Sequence, residues 1–427
     1  MQDTIFALAT ARGKSGVAVI RVSGALALSA AAALGADRLV PRRASLRRLV
    51  DGDDIIDEAV VLFFPAGESF TGEDVVEFQT HGSHAVISRL VEFLTGREGL
   101  RVADAGEFTR RALANGRLDL TQVEGLADLI DAETEAQRRQ AQRIFAGEIG
   151  RKVALWREDL VRAASLIEAT IDFADEDVPV DVLPEVTSLL KRLQESFAAE
   201  LAAGHRAERL RDGFEVAIVG APNVGKSSLL NMLAGRPAAI TSAVAGTTRD
   251  VIEVRMDLSG LPVIFLDTAG IRETQDEIER VGVALALDRA AQADLRVLLV
   301  EPGREMPVLE LQPDDLVVRV KADIHPESDI SCVSGKGISL LVEKITEILS
   351  LRSRGAGVLV RERHRRAIRE AMLSLNAAID LIYQNAGALE LVAAELLAAR
   401  RSLEVLMGRI DVEMLLGEIF SSFCIGK

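Results

Sequence analysis

The stretch "FEVAIVGAPNVGKSSLLNMLAG", Phe214–Gly235, decides the architecture of this 427-residue chain. "FEVAIVG" is a short apolar, β-branched run ending in glycine, the signature of a buried strand. "SLLNMLAG" has helical spacing. Between them "GAPNVGKS", Gly220–Ser227, satisfies G-x-x-x-x-G-K-[ST] in the strand–loop–helix context that gives the motif its meaning. Backbone N–H groups at the helix start can cradle phosphates, Lys226 can reach β and γ oxygens, and Ser227 can ligate Mg²⁺. A P-loop nucleotide-binding unit is expected here.

Working outward, strands and helices alternate from residue 213 as far as "SLLVEKITEILSL", so residues 213–353 read as one α/β domain. Both flanks are helical. Residues 118–212 open with "DLTQVEGLADLIDAETEAQRRQAQRIFAGEIGRKVALWREDL", are interrupted at Pro179 and Pro184, and carry Thr121 and Glu124 at capping-box spacing, expected to start the first helix. After "RSRGAG", residues 354–427 turn helical again, with "AAELLAARRSLEVLMGRI" apolar on one face. An α/β domain inserted into a helical bundle accounts for both flanks, because insertion is tolerated where chain ends lie close together. Residues 1–117 mix β-branched runs ("VAVIRVSG", "DEAVVLFF", "DVVEFQTHG") with helical stretches, the pattern of a separate small α/β domain. The fold class is therefore multidomain, α/β plus all-α.

Composition narrows the function classes. A net charge of −15 argues against tight non-specific binding to DNA or RNA, so any RNA contact must be local. Basic clusters stand at "PRRASLRR" (Arg42, Arg43, Arg47, Arg48) and "RERHRR" (Arg361–Arg366), each either a solvated face or an RNA patch. Two cysteines, Cys332 and Cys424, make no disulfide framework and suit a reducing cytosol. No signal peptide or membrane span is legible, and a cytoplasmic protein without a membrane partner is expected. The terminal "SSFCIGK" fits the C-a-a-X template, but lysine is not a usual last residue and no polybasic run precedes it. Cys424 reads either as a small packed residue or as a reactive thiol.

Further motifs follow the P-loop in order. "PVIFLDTAG" is an apolar strand ending in Asp267, suited to hold a metal through water, with the Gly270 N–H available to a γ-phosphate. "AGTTRD" supplies Thr248 as a second Mg²⁺ ligand. The set resembles the G domain of translation-factor-like GTPases, which implies a Ras-like, mostly parallel sheet. Such domains read guanine with N-K-x-D. In "VVRVKADI" Lys321 and Asp323 fit, whereas Val320 stands where asparagine is expected. The carboxylate points to GTP rather than ATP, with the bracing amide missing. "SDISCVSGKG" resembles the next loop, with Ser331 and Cys332 against the base and Cys332 structural. No glutamine stands directly after "DTAG", and Glu279 is either its replacement in orienting water or an exposed helix charge.

"FTGEDVVEFQTHG" and "GEFTRRALANGRLDLTQVEGLADLI" near the start, the central motifs with "DTAGIRETQDEIERVG", and the terminal "FCIGK" together resemble the MnmE (TrmE) family of tRNA modification GTPases. The resemblance covers essentially the whole chain. It implies an N-terminal domain that binds a tetrahydrofolate derivative, 5-formyl or methylene, and forms a homodimer. It also implies an FAD-dependent partner, MnmG, and modification of carbon 5 of the wobble uridine of certain tRNAs.

Carried over by position, Arg21, Glu77, Arg117 and Lys427 would contact the folate, where the family commonly has lysine in place of Arg117. A strand-face ion pair is the plainer reading of Arg21 and Glu77. GTP would lie against Asn223, Val224, Gly225, Lys226, Ser227 and Ser228, against Ser242, Ala243, Val244, Ala245, Gly246, Thr247 and Thr248, against Asp267, Thr268, Ala269 and Gly270, and against Lys321, Asp323, Ser331 and Cys332. The resemblance makes Ser227 and Thr248 the Mg²⁺ ligands, and Asn223, Ser242, Val244 and Thr247 the ligands of a K⁺ ion that replaces an arginine finger on G-domain dimerisation. Lys226 and Glu279 would serve hydrolysis, and Cys424 either attacks the pyrimidine or steadies the folate site. The competing reading is an RNA-binding switch GTPase of the ribosome-assembly type, without one-carbon chemistry.

Overall fold

The computed structural model describes residues 3–172, 181–221, 223–240, 253–267, 289–303, 311–384 and 389–408, together with Gly426. The chain divides into two units, residues 1–127 with 404–427, and residues 128–403.

In the first unit the strands are β1 (Thr4–Leu8), β2 (Ser15–Ser23), β3 (Ser45–Asp51), β4 (Asp54–Phe64), β5 (Val75–Gly82) and β6 (Leu100–Val102), in the sheet order β3-β4-β5-β2-β1-β6. Neighbours run antiparallel except β1 and β6. Alternation along each strand sends Phe6, Ile20, Val61, Val76 and Phe78 to one face, where α1 (Ala27–Ala33) and α2 (His84–Thr95) bury them. The other face carries Arg21 and Glu77, directly opposite each other on β2 and β5. Near β1 that face is closed by Phe70 and by Phe108 of α3 (Glu107–Ala114), which pack on Ile5 and Ala7. At the β3 edge Leu46 is 61% exposed.

Helix α4 (Leu120–Asp131) starts differently from expectation. Its capping box is Asp119 with Gln122: the Gln122 N–H donates to the Asp119 carboxylate at 2.9 Å and the Gln122 amide oxygen accepts from Asp119 N–H at 3.0 Å. Thr121 and Glu124, which share that spacing, are buried within the helix, where the Thr121 hydroxyl donates to Asp119.

The second unit is built on α5 (Glu135–Phe145), α6 (Glu148–Asp172), α7 (Leu183–Asp212), α10 (Glu362–Gln384) and α11 (Leu389–Leu406). Trp156, Leu160, Ala163 and Ile167 on α6, and Val186, Leu190, Leu193 and Phe197 on α7, recur at four- and three-residue steps and are buried. On α10 His364, Ile368, Ala371, Leu375 and Ala378 continue the same rhythm. This is the stripe that a bundle helix needs. Trp156 meets Phe197 edge to face at 4.9 Å, and its indole N–H donates to Ser196 at 2.9 Å. No helix among the described residues is long and apolar enough to cross a membrane.

Between α7 and α10 lie β7 (Phe214–Gly220), α8 (Lys226–Ala234), β8 (Glu253–Leu258), β9 (Leu261–Asp267), β10 (Leu295–Val300), β11 (Leu316–Arg319) and α9 (Ile338–Ser353). The sheet order is β11-β10-β7-β9-β8, parallel except for the edge strand β8. All seven residues of β9 are buried, as in a strand covered on both faces.

The chain contains a single tryptophan, so Trp156 fluorescence reports this bundle alone. Phe197→Ala removes a fully buried ring. It is expected to cost about 3–5 kcal/mol, read as an earlier denaturant midpoint of the Trp156 transition.

Candidate nucleotide and cofactor sites

Strand β7 lies between β9 and β10, so the loop leaving its carboxyl end opens at the point where the sheet order reverses. Gly220 closes the strand against its neighbour: a Cβ there would stand 2.8 Å from the Leu299 carbonyl oxygen. Asn223 (φ 60°) and Gly225 (φ 112°) take left-handed backbone, and α8 begins at Lys226. The first-turn N–H groups of α8 and its dipole make an anion site.

Lys226 is 6% exposed, and its ammonium donates to the carbonyls of Gly220 at 2.8 Å and Ala221 at 3.0 Å. Burial pulls its pKa below the ordinary lysine value, with nearby Asp267 acting in the opposite direction. The Ser227 hydroxyl donates to Asp267 Oδ2 at 2.9 Å. Asp267 ends β9 directly across from Ile218, which explains how two residues forty positions apart meet. A hydroxyl beside a carboxylate is hard oxygen chemistry that fits Mg²⁺. Val224 is buried against the sheet, and Ser228 is on the exposed side of α8.

At the neighbouring strand ends, Asp323 Oδ1 accepts from the Ser331 hydroxyl at 2.6 Å, a bond that holds the Asp323 carboxyl below the usual carboxylate range. Ser331 also accepts the N–H groups of Val333 and Ser334, so the two loops are knitted together. Lys321, in left-handed backbone (φ 64°), pairs with Glu301 at 2.7 Å. Val320 is 3% exposed within the hydrophobic core, with its N–H on Val300 at 2.9 Å, so this position contributes packing and not a polar arm. Burial and then Asp323 push the pKa of the half-buried Cys332 thiol up. Glu301 was not singled out from the sequence, although its position just after the apolar strand β10 is the signal that could have found it.

In the N-terminal unit the Arg21 guanidinium donates to Glu77 Oε1 at 2.9 Å, with side chains 20% and 16% exposed. Arg21 also lies 5.7 Å from the Phe70 ring and 5.6 Å from the Phe108 ring. The strand-face ion pair is therefore present, and Glu77 Oε2 accepts no hydrogen bond among the described residues. The loop at Phe70–Glu73 is fixed from beneath. Ser23 donates to Glu73 at 2.6 Å, Asn115 to the Thr71 carbonyl at 2.7 Å, and buried Arg111 to both Glu73 oxygens at 3.1 Å. Arg117 packs on the same loop, since a Cβ at Gly72 would meet its Cγ at 3.2 Å. Gly426 (φ 106°) is buried against Leu8 and Ala9, where any Cβ would overlap the Leu8 carbonyl. Leu8 pairs with Ile20, next to Arg21, so the penultimate residue lies by the same strands. Phe70, Phe108 and Arg111 carried no signal in the sequence beyond their residue types.

Ser242, Ala243, Val244, Ala245, Gly246, Thr247, Thr248, Thr268, Ala269, Gly270, Glu279, Cys424 and Lys427 lie outside the described residues. Of the expected K⁺ ligands only Asn223 is described.

Two family models match the chain. Residues 4–117 match the family "GTP-binding protein TrmE N-terminus" and residues 120–424 match "MnmE helical domain". The chain is 58% identical over 429 residues to the "tRNA modification GTPase MnmE" of Dinoroseobacter shibae, covering 100% of both. It is likewise 58% identical to the protein of that name from Cereibacter sphaeroides, again over 100% of both. Among solved structures, Era of Aquifex aeolicus bound to GDP and aluminium fluoride matches 31% of this chain and 56% of its own at 28% identity, with a TM-score of 0.23.

Two outcomes follow from this geometry. Asp323→Ala is expected to weaken guanine-nucleotide binding about 100-fold while leaving adenine nucleotides unaffected, checked by parallel titrations, because hydrogen bonds to a charged group contribute about 1.5–3 kcal/mol. Glu107 is 2% exposed. Burial opposes its charge, but hydrogen bonds from Arg101, the Asp104 N–H and Arg111 outweigh burial and lower its pKa from 4.5 to about 2. Its stabilisation is therefore complete above pH 4.5 and is lost as pH falls toward about 2. Glu107→Gln is expected to flatten that acid limb in denaturation midpoints measured against pH.

Proposed function

This chain belongs to the MnmE (TrmE) family of tRNA modification GTPases, and from that premise we propose that it hydrolyses GTP while modifying carbon 5 of the wobble uridine of certain tRNAs. The observation that carries the hydrolase half is the convergence of Lys226, Ser227 and Asp267 at the amino end of α8. Helix N–H groups orient the phosphates, and the desolvated Lys226 ammonium brings charge to the oxygens where it accumulates. Ser227 and Thr248 would hold Mg²⁺, which offsets phosphate charge. Asn223, Ser242, Val244 and Thr247 would hold K⁺, which does the same at the transferred phosphoryl group. Glu279 orients the attacking water. Asp323, kept anionic by Ser331, accepts from the guanine edge, and Lys321 braced by Glu301 covers the ring.

The modification half is supported by the first unit. Arg21, flanked by two aromatic rings, fixes Glu77 with one carboxylate oxygen to spare, and a flat heterocycle with paired N–H donors suits that arrangement. Arg117 and the terminal Lys427 would complete the site for a tetrahydrofolate derivative, which supplies the one-carbon unit. The buried Gly426 against Leu8 supports a tail that ends beside these strands, with Cys424 near the carrier. The chain would form a homodimer through residues 1–117, as the family resemblance implies. An FAD-dependent partner, MnmG, completes the reaction in the cytoplasm.

The test is nucleoside mass spectrometry of bulk tRNA from a deletion strain complemented with intact or variant chains. Intact protein is expected to restore hypermodified wobble uridine. Lys226→Ala and Glu77→Ala are expected not to, the second with a reduced-folate affinity lowered about 10- to 100-fold but normal GTP turnover. Restoration by Glu77→Ala at full level would remove the folate assignment. Failure of the intact chain would remove the modification reading itself.

A further inference from the structure

We propose that the arginine-rich edge of the N-terminal sheet, from Arg38 to Arg48, binds the sugar–phosphate backbone of the tRNA. The proposal rests on the modification reading above and adds the surface on which the substrate lies.

The chain as a whole carries −15, so a polyanion can dock only where positive charge is concentrated and left unneutralised. Two basic clusters stand in the sequence, and the structure separates them. In the second, Arg361 pairs with Asp128, Arg365 with Glu208 and Glu362, and Arg366 with Glu370. Arg361 and Arg365 are thereby engaged within the helical unit, whereas Arg366 pairs one turn along its own helix and stays exposed. In the first, "RLVPRRASLRR" holds Arg38, Arg42, Arg43, Arg47 and Arg48 without one acidic residue. The side chains of Arg43 and Arg48 make no ion pair or hydrogen bond among the described residues. Arg47 donates only to the main-chain carbonyls of Leu46 and Asp37. Arg38 meets its neighbour Asp37 at 3.8 Å and Arg42 meets Glu68 at 3.6 Å, all four largely exposed, and pairs of that kind bind too weakly to hold an arginine from a phosphate.

The presentation is preformed. Arg42 N–H donates to the Phe63 carbonyl at 2.7 Å, Pro41 bridges to Phe63, and Val50 N–H donates to Leu34 at 3.0 Å, so the arginines stand on anchored backbone. The position is also informative. Leu46 pairs with Val60, Arg48 with Glu58, and Leu62 with Glu77, which places Arg48 on the same sheet face as Glu77 and Arg21. Two strand spacings and four residues separate Arg48 from Glu77, roughly 16 Å. A backbone held at Arg48 therefore lies about 16 Å from the site assigned to the one-carbon carrier.

The experiment titrates full-length protein with bulk tRNA over a series of KCl concentrations. It compares the intact chain, Arg42→Ala/Arg43→Ala/Arg48→Ala, and the same three positions changed to lysine. Each lost phosphate contact removes about 0.7–0.9 from the slope of log affinity against log salt. The alanine variant is expected to lose about 2–3 from that slope and the lysine variant to keep it, with GTP turnover and sedimentation unchanged in both. An unchanged slope in the alanine variant overturns the proposal and leaves the arginines as charges that guard an edge strand against pairing. A changed oligomeric state with an unchanged slope overturns it in favour of a contact between copies. Nucleoside analysis of the complemented strain separates the two readings. Restored modification with an unchanged slope sinks only the patch, whereas a lost slope with no modification by the intact chain keeps the patch and removes the modification reading.

Discussion

One carboxylate holds the two points at which the nucleotide-binding domain leaves and rejoins the helical bundle. Asp128 Oδ1 lies 3.0 Å from Arg211 at the end of α7 and 2.7 Å from Arg361 just before α10. A domain can be inserted only where both ends of the insertion stay close, and two guanidinium groups brought together would otherwise repel. Around this point the sheet is tied to the bundle by more than chain connectivity. Arg209 pairs with Asp294 at 3.0 Å, which also accepts the Glu215 N–H, and the N–H of Ala136 at the start of α5 donates to Gly260 in the β8–β9 turn. Gln137, half of the α5 capping box, donates to the Arg211 carbonyl.

With the sheet so anchored, the nucleotide site is a consequence of where parallel strands end. Lys226, Asp267, Glu301 and Asp323 follow four different strands, yet all stand at carboxyl ends of one sheet. Packing controls how closely they approach. Gly220 lets β7 sit against β10, and with Val320 buried in the core the polar contacts of the following loop are Lys321–Glu301 and Asp323–Ser331. The first unit obeys a parallel logic. Ser23, Glu107 and Arg111 are buried and half-buried Glu73 is bonded to Ser23 and Arg111, so the loop bearing Phe70 is anchored where it meets Arg21.

Much of this was legible from residue types and their spacing. The P-loop announced a strand, a glycine turn and a helix because each residue there has a backbone or phosphate duty that few substitutes perform. The four- and three-residue rhythm of α6, α7 and α10 announced a bundle because a helix must bury a stripe. The start of α4 was misread for a local reason: Asp119–Gln122 and Thr121–Glu124 have equal spacing, and burial of the second pair decides between them.

By itself, then, the sequence determined the family and the inserted α/β domain with its P-loop, since those depend on local chemistry along the chain. Only the tertiary structure decided which charges are spent and which are available. Arg361–Arg366 and Arg38–Arg48 are both arginine-rich strings, but Asp128 and Glu208 from other elements engage Arg361 and Arg365, whereas the second string has only the exposed pairs Arg38–Asp37 and Arg42–Glu68. Likewise Arg21 and Glu77, fifty-six residues apart, become one ion pair between two aromatic rings only because β2 and β5 pair in that register. Pairing between strands and helices far apart in the chain depends on the packing of the whole core, which no short stretch of residues encodes.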